Sequence, residues 1–291
     1  MNSQRPQAVW LDGAVTQHVP VVAVDDRTAA FGDGIFTTMR TLRGRVLHPR
    51  AHWRRLRQSA DAFGLTLPDY DAWSRANQAL IAHCDQAASC RIKWLLTRGP
   101  AAWTAPFTPG VGGLCIAMIW PLGAVPTALR LATVAAVLAP SPLPRHKTCA
   151  YLDALIAKQH ALARGADEAI RLFPDATVGE GAAVNLYAVL DNTVVTPPAL
   201  GILPGVVRSF AAQVCAAADI GFDVRPVTHS EFLAADAWLA SSALLGVCGV
   251  VACDGHPPRQ PSAAQAVVDT YWRLVDSAYE EGAPDFARKL W

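Results

Sequence analysis

Residues 139–165 read APSPLPRHKTCAYLDALIAKQHALARG. Pro140, Pro142 and Pro144 hold the first part of this stretch in an extended loop, because each fixes its own φ and disfavours helix in the residue before it. A helix is then predicted from about Tyr151 to Arg164, closed by Gly165 where a left-handed cap is favoured. Ahead of the loop, LRLATVAAV (129–137) is an apolar run of strand length. The segment is therefore strand, rigid loop, helix, and Lys147 stands at the loop-to-helix boundary.

The same mixture of elements extends in both directions. Upstream, VVAVDD (21–26) reads as a short strand ending in a turn, and IFTTMRTLRGRVLH (35–48) as two strands joined around Arg43-Gly44. Helical periodicity covers Pro49 to Leu65, with Trp53, Leu56, Ala60 and Phe63 on one stripe, and a second helix is predicted over about Asp69 to His83. RIKWLLTR and LCIAMIW read as buried strands, with Lys93 expected at an edge or facing solvent. Downstream, DEAIRLF, AVNLYAVL, TVVTPP, FDVRPV, AWLAS and GVCGVVA are short strands. A helix opening at Pro204-Gly205 and a final amphipathic helix over about Ala263 to Glu280 complete the pattern. PLGAVPT is the best linker. The expectation is an α/β (α+β) chain with a smaller N-terminal domain (1–120), a linker (121–128) and a larger C-terminal domain (129–291).

Composition narrows the function. The chain has 291 residues, 52% hydrophobic and 17% charged, which excludes disorder and predicts a substantial core. A formal charge of +1 gives no basic field for a nucleic-acid backbone. The N-terminal MNSQRPQAVW lacks the apolar stretch of a signal peptide, and the longest apolar runs fall far short of the roughly 20 residues that span a bilayer. Seven cysteines form no CxxC pair and no histidine completes a zinc set, so free thiols, a cytoplasmic location and no metal are expected.

Only four of the 25 basic residues are lysine: Lys93, Lys147, Lys158 and Lys289. Chemistry that needs an amine has few candidates. Lys147 could form a Schiff base if its position lowers its pKa, or could be a solvated lysine near a helix start. Glu180, between glycines in TVGEGAAVN, could lie beneath a flat ligand or be a turn glutamate. LPGVVR (203–208) is a turn-to-helix junction whose free N–H groups suit a phosphate, and Arg55 in AHWRRLRQSA could supply a second phosphate contact or sit on a solvated face. FGDG (31–34) resembles a phosphate loop only superficially.

The order of these features carries more than any one of them. An arginine on an early helix is followed by a lysine, by a glutamate 33 residues on, by TPP at 196–198 and by LPGVVR. This pattern resembles the class IV aminotransferases, two-domain fold type IV enzymes of pyridoxal 5′-phosphate, like D-amino acid aminotransferase. The resemblance runs from DDRTAAFGDGIFTTMR through HKTCAYLDAL and GEGAAVNLYAVLDNTVVTPP to SSALLGVCGV. It implies that Lys147 holds the cofactor as a Schiff base and moves protons, and that Glu180 pairs with the pyridine nitrogen. Arg55 and the amides of Val206 and Val207 would hold the phosphate, with Ser242 adding a hydroxyl. Tyr151 would bond the phenol oxygen. Where many members carry a threonine, this chain has Ala243.

FGDGIFTTMR and SALLGVCGV are most similar to the 4-amino-4-deoxychorismate lyases. That implies release of pyruvate and 4-aminobenzoate for folate synthesis, with Thr38 assisting proton transfer and Phe36, Arg40 and Arg98 binding the substrate and its carboxylates. PAAWTAPFTPG (100–110), around Trp103, replaces the glycine-rich stretch with arginine and tyrosine of many lyases. An aminotransferase of D-amino acid, branched-chain or (R)-amine type stays open. A homodimer is implied by the same resemblance.

Overall fold

A computed structural model of the chain describes residues 5–85, 89–101, 107, 112–138, 141 and 143–280. Trp103 and most of its loop lie outside the described residues. The chain divides into two compact units, Met1–Val125 with His146–Ala150, and Pro126–Arg145 with Tyr151–Trp291. The range 129–291 read as one domain thus contains five residues, Lys147 among them, that group with the first unit.

The first unit holds β1 (Ala8–Leu11), β2 (Ala14–Thr16), α1 (Arg27–Phe31), β3 (Gly34–Leu42), β4 (Arg45–Val46), α2 (Pro49–Phe63), α3 (Tyr70–Ile81), β5 (Cys90–Thr97) and β6 (Cys115–Pro121). Six strands form a sheet in the order β2-β1-β6-β5-β3-β4, with antiparallel pairing throughout. Strand alternation sorts its faces. Ile35 and Met39 of β3, Ile92, Trp94 and Leu96 of β5 and Ile119 of β6 enter one core with Leu56 and Ala60 of α2 and Trp73 and Leu80 of α3. Trp94 anchors that core: its ring stacks on Trp73 at 5.8 Å and its indole N–H donates to Asn77 Oδ1 at 2.9 Å. A buried indole needs such a partner. The residues between these, Phe36, Thr38 and Arg40 on β3 and Arg91 and Lys93 on β5, are half-buried and take the opposite face.

Two expectations are corrected. VVAVDD is not a strand: Val21 and Val24 are exposed, and Asp26 caps α1 by accepting from Thr28 N–H at 2.7 Å. With nothing apolar beside them, those valines gain nothing from an extended pairing. Of the two places expected for Lys93, the edge is excluded, because β5 lies between β3 and β6, and its side chain is half-buried on the face away from the core.

The second unit holds β7 (Ala128–Val137), a 3₁₀ turn (Leu143–Arg145), α4 (Leu152–Ala163), β8 (Glu168–Leu172), β9 (Asn185–Leu190), β10 (Thr193–Thr196), a 3₁₀ turn (Arg208–Phe210), α5 (Ala211–Ala217), β11 (Gly221–Val224), α6 (His229–Leu233), β12 (Ala237–Ser242), β13 (Gly246–Cys253) and α7 (Pro261–Glu280). Its seven-stranded sheet runs β11-β10-β9-β12-β13-β7-β8 and mixes parallel with antiparallel pairs. Trp238, Phe232, Leu186 and Ile170 fill its core. α4 packs through Ala154, Ala157 and Ala161, small residues that bring the helix close to β7 and β8. No helix among the described residues is long and apolar enough to cross a membrane.

Candidate active site

In the first unit the FGDG turn does a job the sequence concealed: it docks the lysine segment. Phe36 N–H donates to Lys147 O and Cys149 N–H to Gly34 O, both at 2.8 Å, and Ile35 bridges Thr148 in antiparallel fashion. The chain at 147–149 is thus a short extra partner of β3. Gly32 has φ +71°, and a Cβ there would come within 2.8 Å of Ala150 N. Only glycine permits that approach. The turn itself is held by Asp33, whose Oδ2 accepts from Arg98 Nε at 2.7 Å and Arg27 Nε at 2.8 Å. Burial pushes the Asp33 carboxyl up, but the hydrogen bonds and charges of Arg98 and Arg27 outweigh it and leave the group below its usual range.

Arg98 is fully buried, stacks over Phe107 at 5.8 Å and also donates to Phe63 O at 2.8 Å. With Asp33 and Phe63 as partners and no exposed surface, the guanidinium expected at a substrate carboxylate braces the turn that docks the Lys147 segment. The Arg98-Gly99 dipeptide gave no sign of this, because its acidic partner lies 65 residues away.

Lys147 Nζ lies 4.7 Å from the centroid of the Phe36 ring, and Lys93 Nζ lies 4.5 Å from the same centroid. Lys93 pairs directly with Thr38 in the β3–β5 register, and Arg40 with Arg91. Phe36, Thr38, Arg40, Arg91, Lys93 and the lysine segment therefore share one neighbourhood. Burial pushes the Lys93 ammonium below its usual range, with Cys149 opposing and Arg91 reinforcing. Lys93, weighed in the sequence only as one of four possible amines, alternates with buried Ile92 and Trp94 and so takes the face of Phe36, Thr38 and Arg40.

Arg55 extends from α2 and donates to Thr37 Oγ1 at 3.2 Å. Thr37 Oγ1 also lies 3.0 Å from His52 Nδ1, inside the protein. Burial, then the charges of Arg55, His48 and Lys147, hold the His52 imidazole far below its usual range, so it is neutral.

In the second unit, Glu180 is fixed on both sides. A Cβ on Gly179 would lie 2.1 Å from Leu138 Cδ1, and one on Gly181 2.6 Å from Val184 Cγ2. The backbone bonds of Glu180 O with Arg171 N–H at 3.1 Å and of Gly181 N–H with Val184 O at 2.8 Å complete the clamp. Glu180 Oε2 accepts from Leu203 N–H at 3.0 Å, so the carboxylate is tied to the turn leading into Val206 and Val207. Those two side chains are buried, and their amides lie ahead of the helical residues Arg208–Ala217. Asn185 Nδ2 donates to Leu203 O at 2.9 Å, while a Cβ on Gly205 would strike Asn185 Oδ1. Tyr151 donates its hydroxyl proton to Ala182 O at 3.2 Å, two residues past Glu180, and its oxygen keeps acceptor capacity. Ser242, at the end of β12, accepts from Leu245 N–H at 3.2 Å and closes the turn into β13. Lys158 pairs with Glu168 at 3.2 Å.

These residues fit pyridoxal phosphate chemically. In the first unit Lys147 offers an amine for the aldehyde and Arg55 a cation for a phosphate; in the second, Glu180 offers a fixed carboxylate for the ring nitrogen and the Val206 and Val207 amides donors for a phosphate.

Residues 34–253 match the family described as amino-transferase class IV. The chain is 28% identical to a bifunctional aminodeoxychorismate lyase / D-amino acid transaminase of Mycobacterium tuberculosis, over 93% of this chain and 98% of that protein. Its fold matches a branched-chain aminotransferase of the thermophilic archaeon Thermoproteus uzoniensis, solved with norvaline, with a TM-score of 0.83 at 24% identity, covering 94% of this chain and 96% of the other. A hypothetical aminotransferase of Mycobacterium tuberculosis in its PLP-bound form superposes with a TM-score of 0.77 at 25% identity, covering 91% and 98%. The fold is fold type IV, the cofactor is pyridoxal 5′-phosphate, and the chain belongs to the class IV aminotransferase family.

Proposed function

We propose that this enzyme is a lyase that converts 4-amino-4-deoxychorismate to 4-aminobenzoate and pyruvate. One observation carries the reading: Lys93, Arg40 and Arg91 share the half-buried face of β3 and β5 with the Thr38 hydroxyl. Three cations on one face suit a substrate with two carboxylates better than a simple amino acid with one. With Arg98 committed to Asp33, Arg40 and Lys93 are the carboxylate-binding pair.

Pyridoxal phosphate, when bound, supplies the electron sink for the pair left by proton removal. Lys147 holds the cofactor, then takes the substrate proton and returns it during pyruvate release. The Thr38 hydroxyl assists that transfer, and Phe36 provides an apolar wall beside the Lys147 amine. Glu180 keeps the ring nitrogen protonated. Arg55, the Val206 and Val207 amides and the Ser242 hydroxyl hold the phosphate, and Tyr151 accepts or donates at the phenol oxygen.

A second reading is transfer of an amino group between a D-amino acid and a 2-oxo acid. It is favoured by the two activities in the name of the Mycobacterium tuberculosis relative. The deciding experiment incubates the cofactor-loaded enzyme with 4-amino-4-deoxychorismate, and separately with D-alanine and 2-oxoglutarate. Pyruvate and 4-aminobenzoate in equal amounts support the lyase. Amino-group transfer without 4-aminobenzoate sinks it in favour of the transaminase.

A cytoplasmic homodimer that feeds folate synthesis goes with this reading. Support for the dimer comes from α4, where Leu152, Leu155 and Ile156 are exposed at the spacing of one helical face. A monomer mass by light scattering would exclude it.

A further inference from the structure

Helix α2 presents His52, Arg55 and Ser59 at i, i+3 and i+7, and all three act on one small region. Arg55 Nη2 donates to Thr37 Oγ1 at 3.2 Å, and that oxygen lies 3.0 Å from His52 Nδ1. Ser59 Oγ donates to Arg55 O at 3.1 Å and lies 3.0 Å from Nδ1 of His146, the neighbour of Lys147. A threonine hydroxyl has one proton and two lone pairs. One lone pair of Thr37 receives Arg55, which leaves its proton and a second lone pair for the His52 ring, so the hydroxyl bonds Nδ1 as donor or acceptor according to the tautomer. The ring itself is neutral, since it is enclosed beside Arg55, His48 and Lys147.

We propose that Thr37 and His52 are positioning residues, a buried hydroxyl–imidazole pair that aims the Arg55 guanidinium at the cofactor phosphate. The proposal rests on the assignment of Arg55 to that phosphate. An unrestrained arginine must give up several side-chain torsions to bind a phosphate. Here one N–H is already held by Thr37, so the plane of the guanidinium is restrained before the ligand arrives, which is how preorganisation strengthens binding. His52 fixes the Thr37 hydroxyl from the other side: with the imidazole bonded to it, the oxygen is held where a lone pair meets Arg55.

The test compares two ligands that differ only in the phosphate. Apo-enzyme is titrated with pyridoxal phosphate and with pyridoxal, following absorbance of the lysine-bound form, for wild type, Thr37→Val, Thr37→Ser and Arg55→Met. The melting temperature of each apo-protein is recorded. Thr37→Val is expected to bind pyridoxal phosphate about tenfold more weakly, the scale of one hydrogen bond to a charged group, with pyridoxal affinity unchanged. Thr37→Ser keeps the hydroxyl and should retain both affinities within about twofold. Equal weakening toward both ligands, or no weakening toward either, overturns the proposal. Arg55→Met separates the two levels. Wild-type pyridoxal phosphate affinity in that variant removes the phosphate assignment itself, whereas weakening there but not in Thr37→Val removes only the positioning role. If Thr37→Val does not fold, Thr37→Ala is judged on the same ratio.

Discussion

Glu180 Oε2 accepts the Leu203 N–H at 3.0 Å, so the carboxylate assigned to the ring nitrogen and the turn assigned to the phosphate are set by one hydrogen bond. Glutamine can make the same bond without the charge. Glu180→Gln is therefore expected to keep the turn and the melting temperature while losing about 10²–10³ in turnover, the scale of removing one preorganised electrostatic stabiliser. Glu180→Ala should in addition lose about 1 kcal/mol, because Leu203 N–H loses its partner. Thermal unfolding and steady-state rates on both variants check this. Equal turnover in wild type and Glu180→Gln would remove the role given to the charge.

The FGDG turn makes a second prediction. Gly32→Ala forces an L residue into φ +71° and drives its Cβ to 2.8 Å from Ala150 N. Gly13 also has positive φ, at +91°, but a Cβ there meets nothing within 4 Å. Gly13→Ala should thus show backbone strain alone, about 1 kcal/mol. Gly32→Ala should cost about 1–3 kcal/mol more from the clash and displace the 147–149 segment from β3. The readout is melting temperature together with the fraction of protein that takes up pyridoxal phosphate. Only Gly32→Ala should lose uptake.

How far this was legible in the sequence follows from which contacts are local. Pro49 to Phe63, Tyr70 to Ile81 and Leu152 to Ala163 are helices because their apolar spacing and caps lie within the segment itself. The order of Arg55, Lys147, Glu180 and LPGVVR could be read for the same reason: it is an order along the chain. What escaped depends on partners far apart in sequence. Asp33 takes Arg98 from 65 residues away, Thr38 meets Lys93 through sheet register, and Gly32 meets Ala150 through the docking of a distant loop. An arginine that braces a turn and an arginine that waits for a carboxylate look alike in a sequence. Burial tells them apart.

That distinction for Arg98 can be measured. Asp33→Ala leaves Arg98 without its carboxylate and Arg27 likewise, and an uncompensated buried charge costs about 3–5 kcal/mol. Arg98→Met removes that charge with little change of volume. Thus Asp33→Ala should destabilise strongly, and adding Arg98→Met should recover part of the loss. For the soluble fraction of Arg98→Met, KM for 4-amino-4-deoxychorismate should stay within about threefold of wild type. A large rise in KM at unchanged melting temperature would return Arg98 to the substrate.

Lys93 predicts the opposite combination. Its ammonium is held at the cost of desolvation, which is why its proton is lost more easily than in water. Lys93→Met replaces a desolvated charge by an apolar chain of similar length, so the melting temperature should stay level or rise. The substrate loses a cation, and KM for 4-amino-4-deoxychorismate should rise about tenfold or more. Affinity for a monocarboxylate such as D-alanine should change little, and a proportional loss on both substrates would show that Lys93 does not read the second carboxylate.

His52 gives a pH signature in stability. Its imidazole is neutral in the native protein and its pKa lies far below that of an exposed histidine, first through burial and then through Arg55, His48 and Lys147. An unfolded histidine titrates near about 6.5. Above that value neither state holds the proton and His52 contributes its full share to stability. Below it the unfolded chain binds a proton that the native ring refuses, so stability falls as pH drops from about 6.5 toward the native pKa. His52→Asn removes the titration. Denaturant midpoints at pH 7.5 and 5.0 should therefore draw closer together in the variant than in wild type, even though the variant is the less stable protein at pH 7.5. The same gap in both proteins would mean that the native imidazole accepts a proton as readily as the unfolded one, and would remove the neutral ring from the Thr37–Arg55 arrangement.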